Sequence, residues 1–325
     1  MERSRHIIWS MLVMISGVLF MLSCQQGGKG IEKSKNDSIR DRRVDSLIGT
    51  AKQTRNVDSV YMVVDSLEKL KEIGPIRANF DRGHINKVLG QYRNSDKYWK
   101  EALAMEIKGE KEERAYYRIA SLLANSLQAR HDYEGALRIS IPALKKMKKS
   151  AVGLPMDIGL QLGDIGICQL KMRRYDEAMK SFNESYEYFK KALNGDTLAI
   201  AHQNALITFN NTTLFCIDAH LYNQALFWST RVDTLLDIYK KHPKADAKVV
   251  DRQYARQCSF RSRAYLGLGQ KEKAEQMFEA YQNSESYKSG IEHAPGEYQL
   301  ASGRYAEAVE SYANIENDIH RRMAK

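Results

Sequence analysis

The side chains that could carry chemistry are scattered along this chain. Ser66 and Lys69 have the Ser-x-x-Lys spacing of some acyl-transfer enzymes, but the companion motifs of those enzymes are missing. His131 and His220 each precede a tyrosine by two residues, and no metal-ligating set stands beside either. Zinc-protease, phosphate-loop, dinucleotide and nucleophile-elbow motifs are also missing. The sequence therefore predicts a protein that is not an enzyme and has no catalytic residues, no metal and no cofactor.

Three cysteines, Cys168, Cys216 and Cys258, lie beyond the N-terminal region. An odd number cannot all pair within one molecule, and no two of them have Cys-x-x-Cys spacing. Cysteine is among the residues most often buried in proteins. We therefore expect three buried thiols, each in the first helix of a different repeat. The alternative, a bridge between neighbouring repeats, would need closely spaced α-carbons.

The elements that position these residues follow from an internal repeat. A small residue recurs at intervals of 34 to 49 residues, and the six anchor positions are Ser95, Ala136, Ala178, Ala225, Ala274 and Ala308. Five of the anchors follow a tyrosine by three residues, and each anchor has an aromatic residue or a serine four residues later. Another small residue stands twelve positions before each anchor, which permits close approach of two helices. Intervals of this length are typical of stacked helical hairpins.

This joint spacing resembles the tetratricopeptide repeat, a helical hairpin with small residues at its eighth and twentieth positions and a bulky apolar residue at its twenty-fourth. The resemblance implies an all-α fold, a right-handed superhelical solenoid of about six hairpins over residues 76–325. Apolar residues at three-to-four spacing predict a degenerate leading hairpin over residues 38–75, which would cap the stack.

The N-terminus predicts where the protein works. Arg3 and Arg5 precede an apolar run that ends at the motif Met21-Leu22-Ser23-Cys24, so residues 1–23 resemble a bacterial lipoprotein signal peptide. Cleavage would make Cys24 the site of lipid attachment and residues 24–37 a flexible tether. The predicted location is the bacterial cell envelope, with the lipid in the membrane and the repeats facing the periplasm. The alternative, an uncleaved signal anchor, also places the repeats outside the cytoplasm.

The chain is basic, with a formal net charge of +10. Its lysines and arginines cluster near the predicted C-terminal ends of helices, where positive charge interacts favourably with the helix dipole. We interpret most of this charge as solvated helix ends. Because an exported protein rarely meets nucleic acid, we predict no nucleic-acid partner. An acidic partner or an anionic lipid surface stays open.

In a stack of hairpins, the first helices line a concave face that offers a preformed groove. Positions two, five, nine and twelve of the repeat predict a partner-binding groove formed by Arg118, Ser121, Asn125, Gln128, Asn210, Arg256, Ser259 and Arg263. The middle units place apolar residues at these positions, namely Leu160, Ile167, Leu170, Leu214 and Ile217. The alternative is that those apolar residues are core between repeats. Such a groove would suit an extended protein or peptide ligand with hydrophobic anchors and an acidic residue.

A second resemblance concerns function. The segments Asp65–Lys69, Ile76–Gly83, Tyr98–Leu103 and Pro295–Tyr298 resemble the extracytoplasmic sensor region of bacterial membrane histidine kinases and regulators that contain tetratricopeptide repeats. In that group a membrane span and a kinase or DNA-binding module follow the repeats, and we expect this chain to be truncated before either. The resemblance implies a non-catalytic scaffold of the cell envelope that binds a protein or peptide. The alternative is a solute- or glycan-binding lipoprotein of nutrient capture, for which exposed aromatic clusters would be the sign.

Overall fold

The computed structural model describes residues 35–194, 199–289 and 295–323. Within these ranges the chain forms helices and turns, without a β-strand. The helices are α1 (Lys35–Gln53), α2 (Val57–Lys69), α3 (Pro75–Val88), α4 (Tyr92–Leu103), α5 (Glu110–Ala129), α6 (Tyr133–Met147), α7 (Pro155–Lys171), α8 (Tyr175–Leu193), α9 (Ala199–Asp218), α10 (Tyr222–Lys240), α11 (Ala247–Gly267), α12 (Lys271–Gln282), α13 (Glu285–Lys288), α14 (Pro295–Ala301) and α15 (Tyr305–Met323). The predicted class, an all-α repeat protein, is confirmed.

Some of the predicted N-terminal features cannot be placed on this fold. Residues 1–23, Cys24 and residues 25–34 of the predicted tether lie outside the described residues. Residues 35–37, which were predicted to belong to the tether, are helical and form the first turn of α1. None of the helices in the described ranges is both long enough and apolar enough to cross a membrane.

The chain divides into two compact units, with the boundary between Cys168 and Gln169 inside α7. In unit 1, the pairs α1 with α2, α3 with α4 and α5 with α6 pack together, and α3 also contacts α5. In unit 2, the pairs α9 with α10, α11 with α12 and α14 with α15 pack together, and α9 also contacts α11. Within each unit, therefore, neighbouring helices in sequence form hairpins and successive first helices lie side by side.

One turn conformation recurs between the helices of six hairpins. The residue two places before each second helix has a positive φ between 60° and 80°; these residues are Gly90, His131, Arg173, His220, Gly269 and Gly303. Glycine adopts this conformation freely, whereas for an L-residue it costs roughly 1 kcal/mol or more. At two of the turns, the ring nitrogen Nδ1 of His131 or His220 lies 2.9 or 2.8 Å from the hydroxyl of the following tyrosine. These histidines therefore have a structural role in the turn.

The small residues of the repeat pattern are buried where the two helices of a hairpin meet. All six anchors, from Ser95 to Ala308, are at most 2% exposed. The hairpin of α3 and α4 shows why residue size matters, because a Cβ added to Gly83 would lie only 2.3 Å from Nε1 of the fully buried Trp99. A larger residue at that position would force α3 and α4 apart.

The leading hairpin covers the outer side of the first regular one. Val44 and Ile48 of α1 and Val60 and Val64 of α2 are buried in one cluster with Ile85 of α3. Helices α1 and α2 therefore bury apolar side chains that α3 alone could not shield from water, as expected of a repeat at the end of an array.

Candidate functional site

Side chains from three first helices of unit 1 meet on one surface, which we call the first-helix face. It consists of Phe80 and His84 on α3, Arg118 and Ser121 on α5, and Asp157, Gln161 and Asp164 on α7. The guanidinium of Arg118 lies 4.7 Å from the centre of the Phe80 ring, which joins α5 to α3. The hydroxyl of Ser121 donates to Oε1 of Gln161, which joins α5 to α7. The face is thus continuous across three hairpins.

On α3, His84 is neutral at physiological pH. Burial, together with the positive charges of Lys52 and Arg118, lowers the pKa of His84 to about 3. Its ring stacks on Phe80 with a centroid distance of 6.0 Å. Its Nδ1 atom is buried and has no hydrogen-bond partner among the described residues. The α3 part of the face therefore contributes a buried aromatic stack and one ring nitrogen without such a partner.

At the start of α7, Asp157 faces the arginines of α5. Burial raises the pKa of Asp157 to about 6, although the charges of Arg118 and Arg114 act to lower it. One of its carboxylate oxygens, Oδ1, is buried without a hydrogen-bond partner. A buried acceptor in this state costs free energy until a donor reaches it.

One turn further along α7, Gln161 is only 1% exposed, yet half of its amide group is unsatisfied. Its Oε1 accepts from Ser121, but its Nε2 is buried and has no acceptor within the part of the chain that the structure describes. Three residues later, burial raises the pKa of Asp164 to about 7. Perturbed carboxyl groups beside unsatisfied amides are characteristic of functional sites, because folding alone gains nothing from them.

The groove residues predicted from the sequence fall into two sets. Ser121, Gln128, Asn210 and Ser259 are buried, with 2% to 5% exposure, whereas Arg118, Asn125, Arg256 and Arg263 are partly exposed. Arg118 and Ser121 belong to the first-helix face, and Gln128 lies further along α5 and donates to the carbonyl of Asp164 at 3.2 Å. Asn125 also lies on α5, and the other four predicted residues, Asn210, Arg256, Ser259 and Arg263, lie in unit 2.

In unit 2, internal contacts occupy two of the predicted groove residues. Asn210 hydrogen-bonds to Gln253 and Gln257, both on α11, and the three side chains form a buried polar layer between α9 and α11. Arg263 pairs with Asp218 at 3.4 Å and with Glu297 at 3.6 Å. The apolar groove candidates Ile167, Leu170 and Ile217 are buried, while Leu160 and Leu214 keep partial exposure.

Sequence reasoning missed the part of the face on α3, although the signal was present. Phe80 and His84 occupy positions five and nine of the first regular hairpin, as Ser121 and Asn125 do in the next one. Extending the same register by one unit would have included them. Asp157 and Asp164 had no such signal, because they stand outside those positions and their pKa shifts arise from tertiary surroundings.

The cysteines carry no reactive thiol. Cys168, Cys216 and Cys258 are free and buried, as predicted. Burial raises the pKa of Cys168 and of Cys216 to about 12 and also raises that of Cys258, so the nucleophilic thiolate is disfavoured. Across the described part of the chain, no group of three or more His, Cys, Asp or Glu residues is placed to hold a metal ion.

Comparison with known proteins supports the fold. No protein-family model matches the chain, and no curated protein matches it. Among solved structures, the chain is similar to the apo form of RapI, with a TM-score of 0.50 and 17% identity over 87% of this chain and 99% of RapI. It is also similar to BtubC (BKLC) from P. vanneervenii, with a TM-score of 0.50 and 16% identity over 78% of this chain and 92% of BtubC. At these identities the similarity shows a shared helical-repeat fold.

Proposed function

We propose that this protein is a non-catalytic scaffold that binds a protein or peptide along the first-helix face. The observation that carries the proposal is a set of buried polar atoms without a hydrogen-bond partner among the described residues, on two helices of the face: Nδ1 of His84 on α3, and Oδ1 of Asp157 and Nε2 of Gln161 on α7. A folded protein normally satisfies its buried polar groups, so such atoms on one surface indicate an absent partner.

A peptide segment matches these groups chemically. Its backbone offers a carbonyl acceptor for the Gln161 amide and an N–H donor for the Asp157 carboxylate. The Arg118 guanidinium lies against the buried Phe80 ring and is itself partly exposed, so it adds a planar group on which a ligand side chain can pack. Because the three helices are held by their own packing, the ligand would meet a preformed site and pay little of the ordering cost of binding.

Site-specific crosslinking tests this proposal in the full-length protein. A photo-reactive residue is placed at Asn125, which is one turn beyond Ser121 on α5, or at Met62, which is 74% exposed on α2. We expect irradiation of cells to join a polypeptide to the Asn125 variant and not to the Met62 variant. A second substitution, Gln161→Leu, should reduce the Asn125 product. Equal products from both positions, or a product unaffected by Gln161→Leu in a folded protein, would contradict the proposal.

We further propose that the scaffold is a lipoprotein of the bacterial cell envelope, anchored through Cys24 and facing the periplasm, and related to the sensor region of a signalling kinase. The support is the sequence of the first 24 residues and the resemblance of four segments to such sensors. Radiolabelled palmitate should enter the wild-type protein and not a Cys24→Ala variant. Incorporation into neither protein would exclude the lipid anchor.

The alternative, a glycan-binding lipoprotein, receives less support from the aromatic residues. Trp99 and Trp228 are fully buried in the packing of their hairpins, so neither ring can stack on a sugar. The partly exposed aromatic residues Phe227 and Tyr254 lie on different helices of unit 2 and are each about half exposed, at 48% and 47%.

A further inference from the structure

Asp81 and Asp164 occupy the same position of two repeats. Each stands two residues before the small residue of its first helix, Gly83 on α3 and Gly166 on α7. Asp81 is completely buried but keeps its charge, because Nζ of Lys52 and Nε of Arg77 each lie 2.7 Å from one of its carboxylate oxygens. At this position of the repeat, therefore, a buried carboxylate is tolerated when two cations reach it.

Neither cation has a counterpart around Asp164. Arg77 stands four residues before Asp81, and the residue four before Asp164 is Leu160. Lys52 is the next-to-last residue of α1, and the corresponding residue of α5 is Gln128, which donates to the backbone carbonyl of Asp164 rather than to its carboxylate. In the ranges that the structure describes, no ion pair includes Asp164.

Asp164 differs from Asp81 in its exposure to solvent and in its neighbours on the helix. Unlike Asp81, Asp164 is partly exposed. One turn earlier on the same helix, the buried Nε2 of Gln161 has no acceptor, and one turn earlier again Oδ1 of Asp157 has no donor. An uncompensated carboxylate and two independent unsatisfied groups thus follow one another along α7.

The cations near the predicted groove are engaged elsewhere, so they do not select an acidic ligand. Arg118 stacks on Phe80 and faces Asp157, while Arg263 in unit 2 pairs with two carboxylates. The carboxyl groups of the first-helix face are those of Asp157 and Asp164, and in the described ranges neither is in an ion pair.

We propose that the first-helix face takes an extended peptide that inserts a lysine or arginine side chain against Asp164, in the role that Lys52 and Arg77 have at Asp81. The peptide backbone then satisfies the amide of Gln161. This inference rests on the proposed peptide-binding function and adds the chemical class of the partner, which is a basic segment rather than the acidic one expected from the sequence.

The test uses full-length protein and fluorescent pools of twelve-residue peptides that differ only in one fixed central residue: lysine, arginine, glutamate or norleucine. Binding is measured by fluorescence polarisation at pH 8. We expect the lysine and arginine pools to bind at least about tenfold more tightly than the other two. Asp164→Asn should abolish this preference. Gln128→Lys should abolish it too, because an internal cation would then pair with the Asp164 carboxylate. Glu134→Gln, at an exposed carboxylate on α6, serves as the matched control and should keep the preference.

The outcomes separate the two proposals. Peptides that bind without a basic preference, or a preference that survives both Asp164→Asn and Gln128→Lys, would overturn this inference and leave peptide binding intact. No binding of any pool would overturn the proposed function and this inference with it. If Asp164→Asn fails to fold by circular dichroism, Gln128→Lys decides the outcome, since it keeps the Asp164 carboxyl group and supplies an internal cation to it; its fold is checked in the same way.

Discussion

Helices α3 and α7 of unit 1 each carry an aspartate at the same repeat position, but Asp81 is paired with two cations and Asp164 with none in the described residues. Burial alone would raise the pKa of Asp81, but the charges of Arg77 and Lys52 hold it below its usual range. Burial raises the pKa of Asp164 to about 7, and no cation opposes the shift. The repeat therefore determines where a side chain lies, while its neighbours on adjacent helices determine whether it can be charged.

The largest effect is expected at Asp81. Asp81→Asn removes the shared carboxylate partner of Lys52 and Arg77, so Lys52 loses its ion pair and Arg77 keeps only the one with the exposed Asp45. We expect a loss of about 3 kcal/mol in the free energy of unfolding at pH 7, measured by urea denaturation followed by circular dichroism. A loss below about 1 kcal/mol would show that the two cations are readily hydrated. Asp81 would then not be needed to compensate them, and its contrast with Asp164 would fail.

At Asp164 we expect the opposite effect, because removing the carboxyl charge should stabilise the protein. Its pKa is about 7 in the folded protein and near 3.8 when unfolded, so the folded state holds its proton more tightly. The wild type should therefore lose stability as pH rises from about 4 to 7, and Asp164→Asn should lack this loss. We expect the variant to be more stable by about 2 kcal/mol at pH 8 and nearly equal to wild type at pH 4. Urea denaturation at both pH values measures this, and destabilisation at pH 8 would refute the unpaired state of Asp164.

A smaller gain is expected when the Asp81 arrangement is copied onto α7. Gln128→Lys places a cation where Lys52 stands relative to Asp81, so the pKa of Asp164 should fall and stability at pH 8 should rise by about 1 kcal/mol. The carboxyl resonance of Asp164, followed by NMR during a pH titration, reports the pKa. In an Asp164→Asn background the same lysine should give no gain, and a gain there would mean that it acts through another group.

The smallest effect is expected at Asp45, the exposed partner of Arg77. The Asp45 side chain is 57% exposed and lies 2.9 Å from the same guanidinium that binds Asp81. Asp45→Asn should cost less than about 0.5 kcal/mol, because water screens an exposed ion pair. Urea denaturation at pH 7 makes Asp45→Asn the matched control for Asp81→Asn. A loss as large as that of Asp81→Asn would show that burial is not what distinguishes the two carboxylates.

The groove prediction shows how far a repeat register extends. It included Arg118 and Ser121, which the structure places on α5 in contact with Phe80 and Gln161. It could not indicate that Asn210 would be held by two glutamines or that Arg263 would find two carboxylates, since those partners come from other helices. The unsatisfied amide of Gln161 was equally invisible, because satisfaction of a polar group depends on every atom around it.

The hairpins of this protein follow from a pattern in the sequence alone: each second helix begins at the recurring tyrosine or at Lys271, and the six anchors are buried. These features depend on residue size and backbone preference, which a local pattern records. The different states of Asp81 and Asp164 could be seen only in the folded structure, where the pKa of Asp81 is lowered by two paired cations and that of Asp164 is raised by burial. Ionisation depends on charges contributed by neighbouring helices and on the water that packing excludes.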